Sequence, residues 1–260
     1  MAGNGGNEGK RWEGPLVSVI MPAYGCRSTI EQAIRSVLEQ EVPLELIIVD
    51  DCSPDQLNEV VDKYRGTPPV LRYVRNSENL GASGSRNRGV AMAKGRYVAF
   101  LDADDWWARG KLKKQVELME QTQAVLCSTG RRLVKPDGSD AGRYIGVPEK
   151  ISYRRMLRQN LINCSSVLML KEIALEFPMQ HEDSHEDYIT WLRVLKKYGT
   201  AVGIDEPLLY YRLTDSGKSG SKLHSAAMTF KVYRYMGFGP FRSTYYFFWY
   251  AIHGLLKYFA

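Results

Sequence analysis

The sequence predicts an α/β fold in which a mixed, mostly parallel sheet is flanked by helices. Three short runs, 16–21, 44–49 and 97–101, are almost wholly apolar, which is typical of strands buried on both faces of a sheet. The segments between them place apolar residues at helical spacing. Because strands that alternate with amphipathic helices usually pair in parallel through helical crossovers, this pattern favours the α/β class.

Local signals set the bounds of the predicted elements in chain order. The first strand, 16–21, is closed by Pro22, and the helix over 28–39 begins at Ser28, with Glu31 three positions on as in a capping box. The other predicted strands cover 44–49, 70–74, 97–101, 124–127 and 167–170, and the other predicted helices cover 54–64, 85–93, 110–121 and 186–198. The strongly aromatic end of the chain, 230–260, is predicted to be a helical tail.

Length and composition indicate one domain. The chain has 260 residues, of which 44% are hydrophobic, enough for one substantial core and an appended helical piece. We expect a flexible N-terminus over 1–14, a single domain over 15–225 and a C-terminal helical segment over 226–260.

Charge and cysteine content indicate which binding partners and which cellular compartment to expect. The net charge is +6, but the basic residues are scattered among 29 acidic ones, which favours phosphate-bearing small molecules or an anionic membrane surface over nucleic acid. The four cysteines have no paired spacing, as is typical of the reducing cytoplasm. The sequence predicts neither a signal peptide nor a membrane-spanning helix. We therefore expect a cytoplasmic protein.

Acidic residues follow the apolar run 97–101 directly. Asp102 and Asp104 are two positions apart, so both leave the strand on the same side, at the edge where open α/β sheets bind ligands. Carboxylate oxygens there suit Mg²⁺ or Mn²⁺ that also binds phosphate oxygens. The alternative is an acidic turn that caps a helix starting near Trp106, and this stretch alone is equally compatible with both.

A second acidic pair, Asp50 and Asp51, follows the strand over 44–49. Because the ends of parallel strands meet at one sheet edge, we expect this pair to converge with Asp102 and Asp104 on one cleft. Asp51 could accept the imide N–H of a uracil, or it could form an Asx turn with the residues that follow it.

Three further positions carry candidate groups. The ring of Tyr24, after the first strand, either lies against a base or packs in the domain. The small residues around Gly81 lead into a helix that bears Arg86, which indicates either a diphosphate site or a flexible turn before a solvated helix face. Asp187 opens the helix over 186–198, where an acid is either a cap favoured by the helix dipole or a general base at the cleft.

The sequence lacks two common nucleotide-binding motifs and carries four segments that resemble one enzyme family. The sequence has neither a Gly-x-Gly-x-x-Gly fingerprint nor a Gly-Lys-Ser/Thr phosphate loop, so redox-cofactor and ATPase functions are not indicated. Four segments in order, 17–24, 47–53, 79–105 and 186–193, resemble the family 2 glycosyltransferases of the GT-A fold, the inverting enzymes of bacterial surface polysaccharide assembly. The resemblance covers about 15–223.

The resemblance implies a UDP-sugar donor, a glycan or lipid-linked glycan acceptor, and Mn²⁺ or Mg²⁺ as the metal. Under it, Asp51 holds the uracil, Asp104 binds the metal with Asp102 near the ribose and metal, and Asp187 is the catalytic base. The residues that it implies at the nucleotide-sugar site are Pro22, Ala23, Tyr24, Asp50, Asp51, Gly81, Arg86, Asp102, Ala103, Asp104 and Lys218. Lys218 lies in a segment that looks like the family's mobile loop, which closes over the nucleotide sugar.

Two other functions and two interpretations of the tail stay open at this point. The chain could be a catalytically idle nucleotide-binding or scaffold protein on the same fold, or a sugar-phosphate nucleotidyltransferase. The second lacks support because no Gly-rich basic loop follows Met21. The tail, 230–260, either lies in a membrane interface and brings the enzyme to a lipid-linked acceptor, or packs on the domain or on a partner subunit.

Overall fold

A computed structural model describes residues 14–66, 68–213 and 222–259 of the chain. Within these ranges, ten strands form one sheet and nine α-helices accompany it. The strands are β1 (Val17–Ala23), β2 (Leu44–Asp50), β3 (Val70–Arg75), β4 (Tyr97–Phe100), β5 (Trp106–Trp107), β6 (Leu126–Val134), β7 (Asp140–Ile145), β8 (Lys150–Ser152), β9 (Leu168–Leu170) and β10 (Thr200–Arg212). The helices are α1 (Ile30–Leu38), α2 (Asn58–Val61), α3 (Gly81–Met92), α4 (Lys111–Thr122), α5 (Tyr153–Met156), α6 (Lys171–Glu176), α7 (Glu186–Tyr198), α8 (Lys222–Tyr235) and α9 (Pro240–Phe259).

The sheet is mixed, as predicted. Its strand order is β3-β2-β1-β4-β9-β6-β10-β5, with β7 paired to β6 and β8 paired to β10. The first four strands in this order are parallel, which confirms the predicted crossovers. β9 runs antiparallel to both β4 and β6, and β10 runs parallel to β6 but antiparallel to β5 and β8. The chain direction therefore changes beside β4, and the end of this strand is a favourable place for a ligand site.

Two apolar cores lie on opposite faces of the sheet. Successive residues of β1 point to opposite faces, so Val19 joins one core with α1 and α4, and Ile20 joins the other with α7 and α8. Every residue of β2 is buried, as expected for a strand that is covered on both faces. The first half of the chain is thus the α/β layer arrangement that its apolar runs predict.

Several element bounds differ from the prediction. Pro22 does not close β1, because β4 pairs with β1 only as far as Ile20 and position 22 needs no N–H donor on that side. Trp106–Trp107 begin no helix but form β5, since they pair with β10, and α4 starts at Lys111. α3 begins at Gly81, four residues before the predicted helix. The predicted helix over 54–64 is shorter, and β7, β8 and β10 were not predicted.

The aromatic tail forms two helices that pack on the domain. Tyr233 of α8 is fully buried and donates a hydrogen bond to the carbonyl oxygen of Leu157 (2.9 Å). α9 places one aromatic face against the core and leaves another in solvent, where Phe241, Tyr245 and Phe248 are 92%, 51% and 61% exposed. Among the described helices, none has the length and apolar character needed to cross a membrane. Packing and an exposed aromatic face therefore coexist in α9.

Gly89 sets how closely α3 approaches β1. A Cβ atom at this position would lie 2.4 Å from Cγ2 of the fully buried Ile20. We expect Gly89→Ala to lower the free energy of unfolding by about 1–3 kcal/mol, because an overpacked core must displace its side chains. Urea unfolding followed by circular dichroism measures the change. The matched helical variant Gly254→Ala meets nothing within 4 Å and should be neutral or stabilising by up to about 1 kcal/mol, so equal losses in both variants would contradict this account.

Candidate active site

Asp51 lies at the carboxyl edge of the parallel strands. Its backbone N–H donates to the carbonyl oxygen of Ala23 at the end of β1 (2.8 Å). Its Oδ1 accepts hydrogen bonds from Asn76 Nδ2 (2.7 Å) and from the backbone N–H of Leu80 (2.8 Å). The side chain therefore reaches the loop before α3 and is not used in an Asx turn with the residues that follow it.

Asp50 makes that turn instead. Its Oδ1 accepts a hydrogen bond from the backbone N–H of Ser53 (2.7 Å), and its Oδ2 accepts from Arg75 Nη1 (2.6 Å) and from the Tyr73 hydroxyl. The side chain is fully buried. Because both oxygens are engaged by β3 and the turn, the geometry favours a structural role for Asp50 over contact with a nucleotide.

Asp102 leaves the end of β4 and is held from two sides. Its backbone N–H donates to Ser165 Oγ (3.1 Å), and its Oδ1 forms an ion pair with Arg86 Nη2 (2.6 Å). Arg86 is 5% exposed, and its Nη1 donates to Glu186 Oε1 at the start of α7 (2.9 Å). One guanidinium thus joins the acid that follows β4 to the first turn of α7. The sequence pattern of α3 placed Arg86 beside a diphosphate, but its two carboxylate contacts favour a role in orienting the acids.

The carboxylate of Asp104 has a different environment. Within the described ranges, no lysine or arginine forms an ion pair with it. Burial and the charge of Asp102 raise its pKa from 3.8 to about 6. Arg212, at the end of β10, donates through Nε to the Asp104 carbonyl oxygen (2.9 Å) and through its backbone N–H to Asp105 Oδ1 (2.9 Å). Arg212 therefore holds the loop through its backbone and, among the described residues, makes no direct ion pair with the Asp104 carboxylate.

These acids fit a divalent cation. Asp102 and Asp104 offer hard oxygen ligands at a strand end, and burial together with the charges of Asp104 and Asp102 raises the pKa of the neighbouring Asp105 well above its usual range. In the part of the chain that the structure describes, no three His, Cys, Asp or Glu side chains form a metal-binding group. A cation such as Mg²⁺ would then take its remaining ligands from substrate phosphates and water, as it commonly does. The alternative, that these acids cap a helix starting near Trp106, is not supported, because α4 begins only at Lys111.

Asp187 lies in the first turn of α7, beside the buried Glu186. Its Oδ1 accepts a hydrogen bond from the backbone N–H of Tyr188 (2.7 Å). Burial and the neighbouring Glu186 raise the pKa of Asp187 to about 7, Asp102 acts in the same direction, and Arg86 opposes them. Arg86 contacts both Asp102 and Glu186, the residue before Asp187, so Asp187 opens a helix that is tied directly to Asp102. A carboxyl group that titrates near neutral pH suits a general base.

The N-terminus of α3, where the sequence pattern indicated a diphosphate, contacts Glu182. The Oε2 atom of Glu182 accepts hydrogen bonds from the backbone N–H of Ser83 (2.9 Å) and from its hydroxyl. A Cβ atom on Gly81 would lie 2.8 Å from Cδ of Glu182, and the φ of +74° also favours glycine. Glu182 was not predicted, because nothing in the polar run around it indicates a contact with α3, about a hundred residues away.

The remaining predicted positions are distributed around this edge. Tyr24, directly after β1, is 57% exposed, so its ring is not packed in the core and can stack on a base. Pro22 lies within β1, and Ala23 and Ala103 are buried small residues next to the strand ends. Lys218 lies outside the described residues.

One sizeable cavity among the described residues lies away from this site. It has a volume of about 1040 Å³ and is lined by residues such as Pro43, Val70 and Arg72, at the amino ends of β2 and β3. The acids lie at the opposite, carboxyl ends of the strands. The acids and their partners therefore define a site that is separate from this cavity.

The chain is similar to known proteins in both sequence and fold. Residues 18–175 match the family model described as Glycosyl transferase family 2. The chain is 40% identical over 221 residues to the putative teichuronic acid biosynthesis glycosyltransferase TuaG of Bacillus subtilis (strain 168), covering 85% of this chain and 88% of TuaG. It is 33% identical over 243 residues to the UDP-Glc:alpha-D-GlcNAc-diphosphoundecaprenol beta-1,3-glucosyltransferase WfaP of Escherichia coli, covering 93% of this chain and 95% of WfaP.

Solved structures share the fold at low sequence identity. S. aureus TarS 1-349 in complex with UDP-GlcNAc is 20% identical with a TM-score of 0.67, covering 83% of this chain and 65% of that chain. This chain thus spans slightly less than two thirds of the TarS fragment. The mannosyltransferase PcManGT of Pyrobaculum calidifontis, in complex with GDP-Man and Mn²⁺, is 19% identical with a TM-score of 0.69, covering 93% of this chain and 72% of that chain. The predicted GT-A fold is confirmed.

The family model spans more than half of the chain, and the relatives align over most of its length and most of their own. This agreement disfavours the nucleotidyltransferase alternative. The chain belongs to glycosyltransferase family 2.

Proposed function

We propose that this chain is a metal-dependent, inverting glycosyltransferase that moves a sugar from a UDP-sugar to a hydroxyl group of a lipid-linked glycan in bacterial cell-surface polysaccharide synthesis. The observation that carries the proposal is the Arg86 guanidinium, which joins Asp102 after β4 to Glu186 beside Asp187. It brings the two predicted halves of the site, metal ligands and base, to one place. The names of TuaG and WfaP, which concern teichuronic acid and a diphosphoundecaprenol-linked sugar, support the substrate class.

The donor would lie along the carboxyl edge of β1, β2 and β4. The Asp51 carboxylate, held by Asn76 and Leu80, is placed to accept the imide N–H of uracil, and the exposed ring of Tyr24 is placed to cover the base. Asp104 and Asp102 would hold Mn²⁺ or Mg²⁺ against the diphosphate. When bound, the metal stabilises the charge that grows on the departing nucleotide.

Asp187 would act from the other side of the sugar as the general base. The acceptor oxygen attacks the anomeric carbon as the bond from that carbon to the diphosphate oxygen breaks, and the acceptor proton passes to the Asp187 carboxylate. UDP leaves on the face opposite to attack. A single displacement of this kind inverts the anomeric centre, and it does so without a covalent sugar–enzyme intermediate.

A panel of UDP-sugars tests this function. Each sugar nucleotide is incubated with Mn²⁺ and with or without a synthetic sugar-diphosphate-lipid acceptor, and UDP release and product anomeric configuration are measured. We expect UDP release from one donor, its loss with EDTA, and a product of inverted configuration. Release of pyrophosphate from UTP and a sugar phosphate would instead establish the nucleotidyltransferase, and binding of UDP without any transfer would favour the idle protein.

In this proposal residues 15–225 carry the transfer reaction, and the segment over 226–260 contacts the membrane through the exposed face of α9. The exposed rings of Phe241, Tyr245 and Phe248 lie on one side of α9 at spacings of four and three residues, which suits a helix lying in the interface. The enzyme would then be a peripheral protein on the cytoplasmic face.

Vesicle binding tests the membrane contact. The double variant Phe241→Ser/Phe248→Ser should bind vesicles that contain anionic lipid at least about tenfold more weakly, since two large apolar side chains no longer enter the interface. Co-sedimentation with liposomes measures this. Leu175→Ser removes an apolar side chain that is 50% exposed elsewhere and should bind like the wild type. Unchanged binding of the double variant would leave α9 as a packing helix only.

A further inference from the structure

A second, polar cavity adjoins the proposed active site. It has a volume of about 320 Å³ and lies between the β6–β7 hairpin, the end of β10 and α9. Its polar lining includes Arg131, Arg143, Asn160, Asn163, Tyr211 and Tyr250. None of the described residues that line it is acidic. The cavity therefore offers hydrogen-bond donors and positive charge to whatever enters it.

The two arginines face the cavity from one side of the hairpin. Arg131 pairs across the hairpin with Ile145, and Leu133 pairs with Arg143, so the two guanidinium groups belong to neighbouring positions on one face. Within the described ranges, no carboxylate forms an ion pair with Arg131, and its guanidinium lies 6.0 Å from the ring centre of Tyr211. Burial lowers the pKa of Arg131, Tyr211, Asp105 and Tyr250 oppose this, and the like charge of Arg143 adds a smaller lowering. Two like charges placed together in this way are stabilised when an anion lies between them.

The cavity is connected to the residues proposed for catalysis. Asn163 Oδ1 accepts a hydrogen bond from the backbone N–H of Ser165 (3.0 Å), and the Ser165 hydroxyl accepts from the backbone N–H of Asp102 (3.1 Å). On the other side, the Tyr250 ring lies 6.1 Å from the ring of Tyr188, the residue after Asp187. The cavity is thus linked to Asp102 through these hydrogen bonds, and its Tyr250 is near enough to Asp187 for the charge of that carboxylate to raise the pKa of Tyr250.

The cavity is also continuous with α9. Tyr250 and Gly254 line it, whereas Phe241, Tyr245 and Phe248 of the same helix are exposed to solvent. The cavity therefore lies against the inner face of α9, and the exposed aromatic rings lie on the opposite face of the same helix.

We propose that the Arg131–Arg143 cavity binds the phosphate or diphosphate group of the acceptor, and so places the acceptor sugar beside Asp187. This inference rests on the proposed function and deepens it, because it assigns the acceptor's anionic group to named residues. Guanidinium groups, amides and tyrosine hydroxyls are the donors that recognise phosphate oxygens. The acceptor in the name of WfaP carries a diphosphate of this kind.

Two acceptors that differ only in the diphosphate test the assignment. One is GlcNAc linked through a diphosphate to a short alkyl chain, and the other is GlcNAc linked directly to the same chain. We expect Arg131→Gln to lower the ratio of kcat/KM for the first acceptor to that for the second by about 10- to 100-fold, the usual worth of a charge-assisted hydrogen bond. Arg131→Lys keeps the positive charge but not the paired N–H donors of the guanidinium group. Its ratio should lie between those of Arg131→Gln and the wild type.

Arg132→Gln is the matched control. Arg132 is the next residue on β6, lies on the opposite face of the hairpin and pairs with the exposed Asp140 (2.8 Å). Its variant should leave the ratio unchanged. The assignment would be overturned if Arg132→Gln lowered the ratio as much as Arg131→Gln does. It would also be overturned if Arg131→Gln lowered kcat/KM equally for both acceptors, or if it raised the KM for the UDP-sugar and left the ratio for the acceptors unchanged.

Binding of inorganic pyrophosphate separates this inference from the proposed function. It is titrated calorimetrically with EDTA present, so that metal-bridged binding at the aspartates does not contribute. Loss of binding in Arg131→Gln and its retention in Arg132→Gln would support the cavity even if the wild type transferred sugar to neither acceptor. Equal binding by all three proteins, or no binding by the wild type, would overturn it. Thermal unfolding of each variant shows that the compared proteins are folded.

Discussion

Replacing Asp187 with Asn is expected to lower kcat by about 10²- to 10⁴-fold, the usual contribution of general-base catalysis. The affinity for UDP with Mn²⁺ should stay close to that of the wild type, because Asp187 is proposed to contact the acceptor side of the reaction. Initial-rate assays of sugar transfer give kcat, and calorimetry gives the affinity for UDP. Wild-type turnover with the natural acceptor would show that Asp187 is not the base.

The Asp187→Asn substitution should remove the carboxylate without disturbing the local structure. An amide oxygen at position 187 can still accept the hydrogen bond from the backbone N–H of Tyr188. Burial and Glu186 raise the pKa of Asp187 from 3.8 to about 7, so its contribution to stability falls as pH rises between these values. Asparagine carries no such charge, so the variant should be at least as stable as the wild type at neutral pH.

The same carboxyl group predicts a pH dependence. Only ionised Asp187 can accept the acceptor proton, so kcat/KM of the wild type should rise with pH up to about 7 and then level off. The residual activity of Asp187→Asn should lack this rise. Asp183→Asn is the control, since its carboxylate lies four residues earlier, is exposed and pairs with Lys231 (2.8 Å). If Asp183→Asn lost as much kcat as Asp187→Asn, the loss would reflect a disturbed segment before α7 and not the removal of the base.

The parts of the fold that could be predicted from the sequence are those with strong local patterns. β2 and β4 were predicted because their runs are almost wholly apolar, as is typical of strands buried on both faces. The bounds of α7, Glu186–Tyr198, were predicted because acids open it and Gly199 follows its apolar face. Convergence of the acids followed from parallel pairing, which placed Asp51 and Asp102 at the same edge.

Other parts depend on partners that the local pattern does not show. β10 contains Asp205, Glu206 and Pro207, which are poor strand formers, and its register with β6 shifts at that point. Trp106 and Trp107 form a strand only because β10 lies beside them. These elements could not be predicted from periodicity, since their hydrogen-bond partners are distant in the sequence.

Contacts within the site were the least predictable. The ion pair of Arg86 with Glu186 and the hydrogen bond of Ser83 with Glu182 each join residues about a hundred positions apart. The residue types were recognisable as polar and functional, but an arginine at a helix start is equally suited to a phosphate or to a carboxylate. Only the tertiary structure distinguishes these two roles.

The second large effect concerns the metal. Replacing Asp104 with Asn should weaken Mn²⁺-dependent binding of UDP by at least about 10- to 100-fold, a range that loss of an outer-shell partner alone commonly reaches. The amide keeps one neutral oxygen but removes the negative charge that a hard cation prefers. With EDTA present, both proteins should bind UDP equally, because Asp51 and Tyr24 are unchanged. Calorimetric titration of UDP with and without Mn²⁺ separates the two contributions.

Stability provides an independent measurement on the same variant. Burial and Asp102 raise the pKa of Asp104 to about 6, so at pH 7.5 its ionised form destabilises the metal-free protein, and Asp104→Asn should not lower the metal-free Tm. Mn²⁺ binds the folded state and should raise the Tm of the wild type, but much less that of the variant. Asp140→Asn removes an exposed carboxylate that pairs with Arg132, and it should keep the wild-type response to Mn²⁺. If Asp104→Asn kept the full rise in Tm and the full affinity for UDP with Mn²⁺, the metal would have to be held by other residues, and the proposed geometry of the reaction would fail with it.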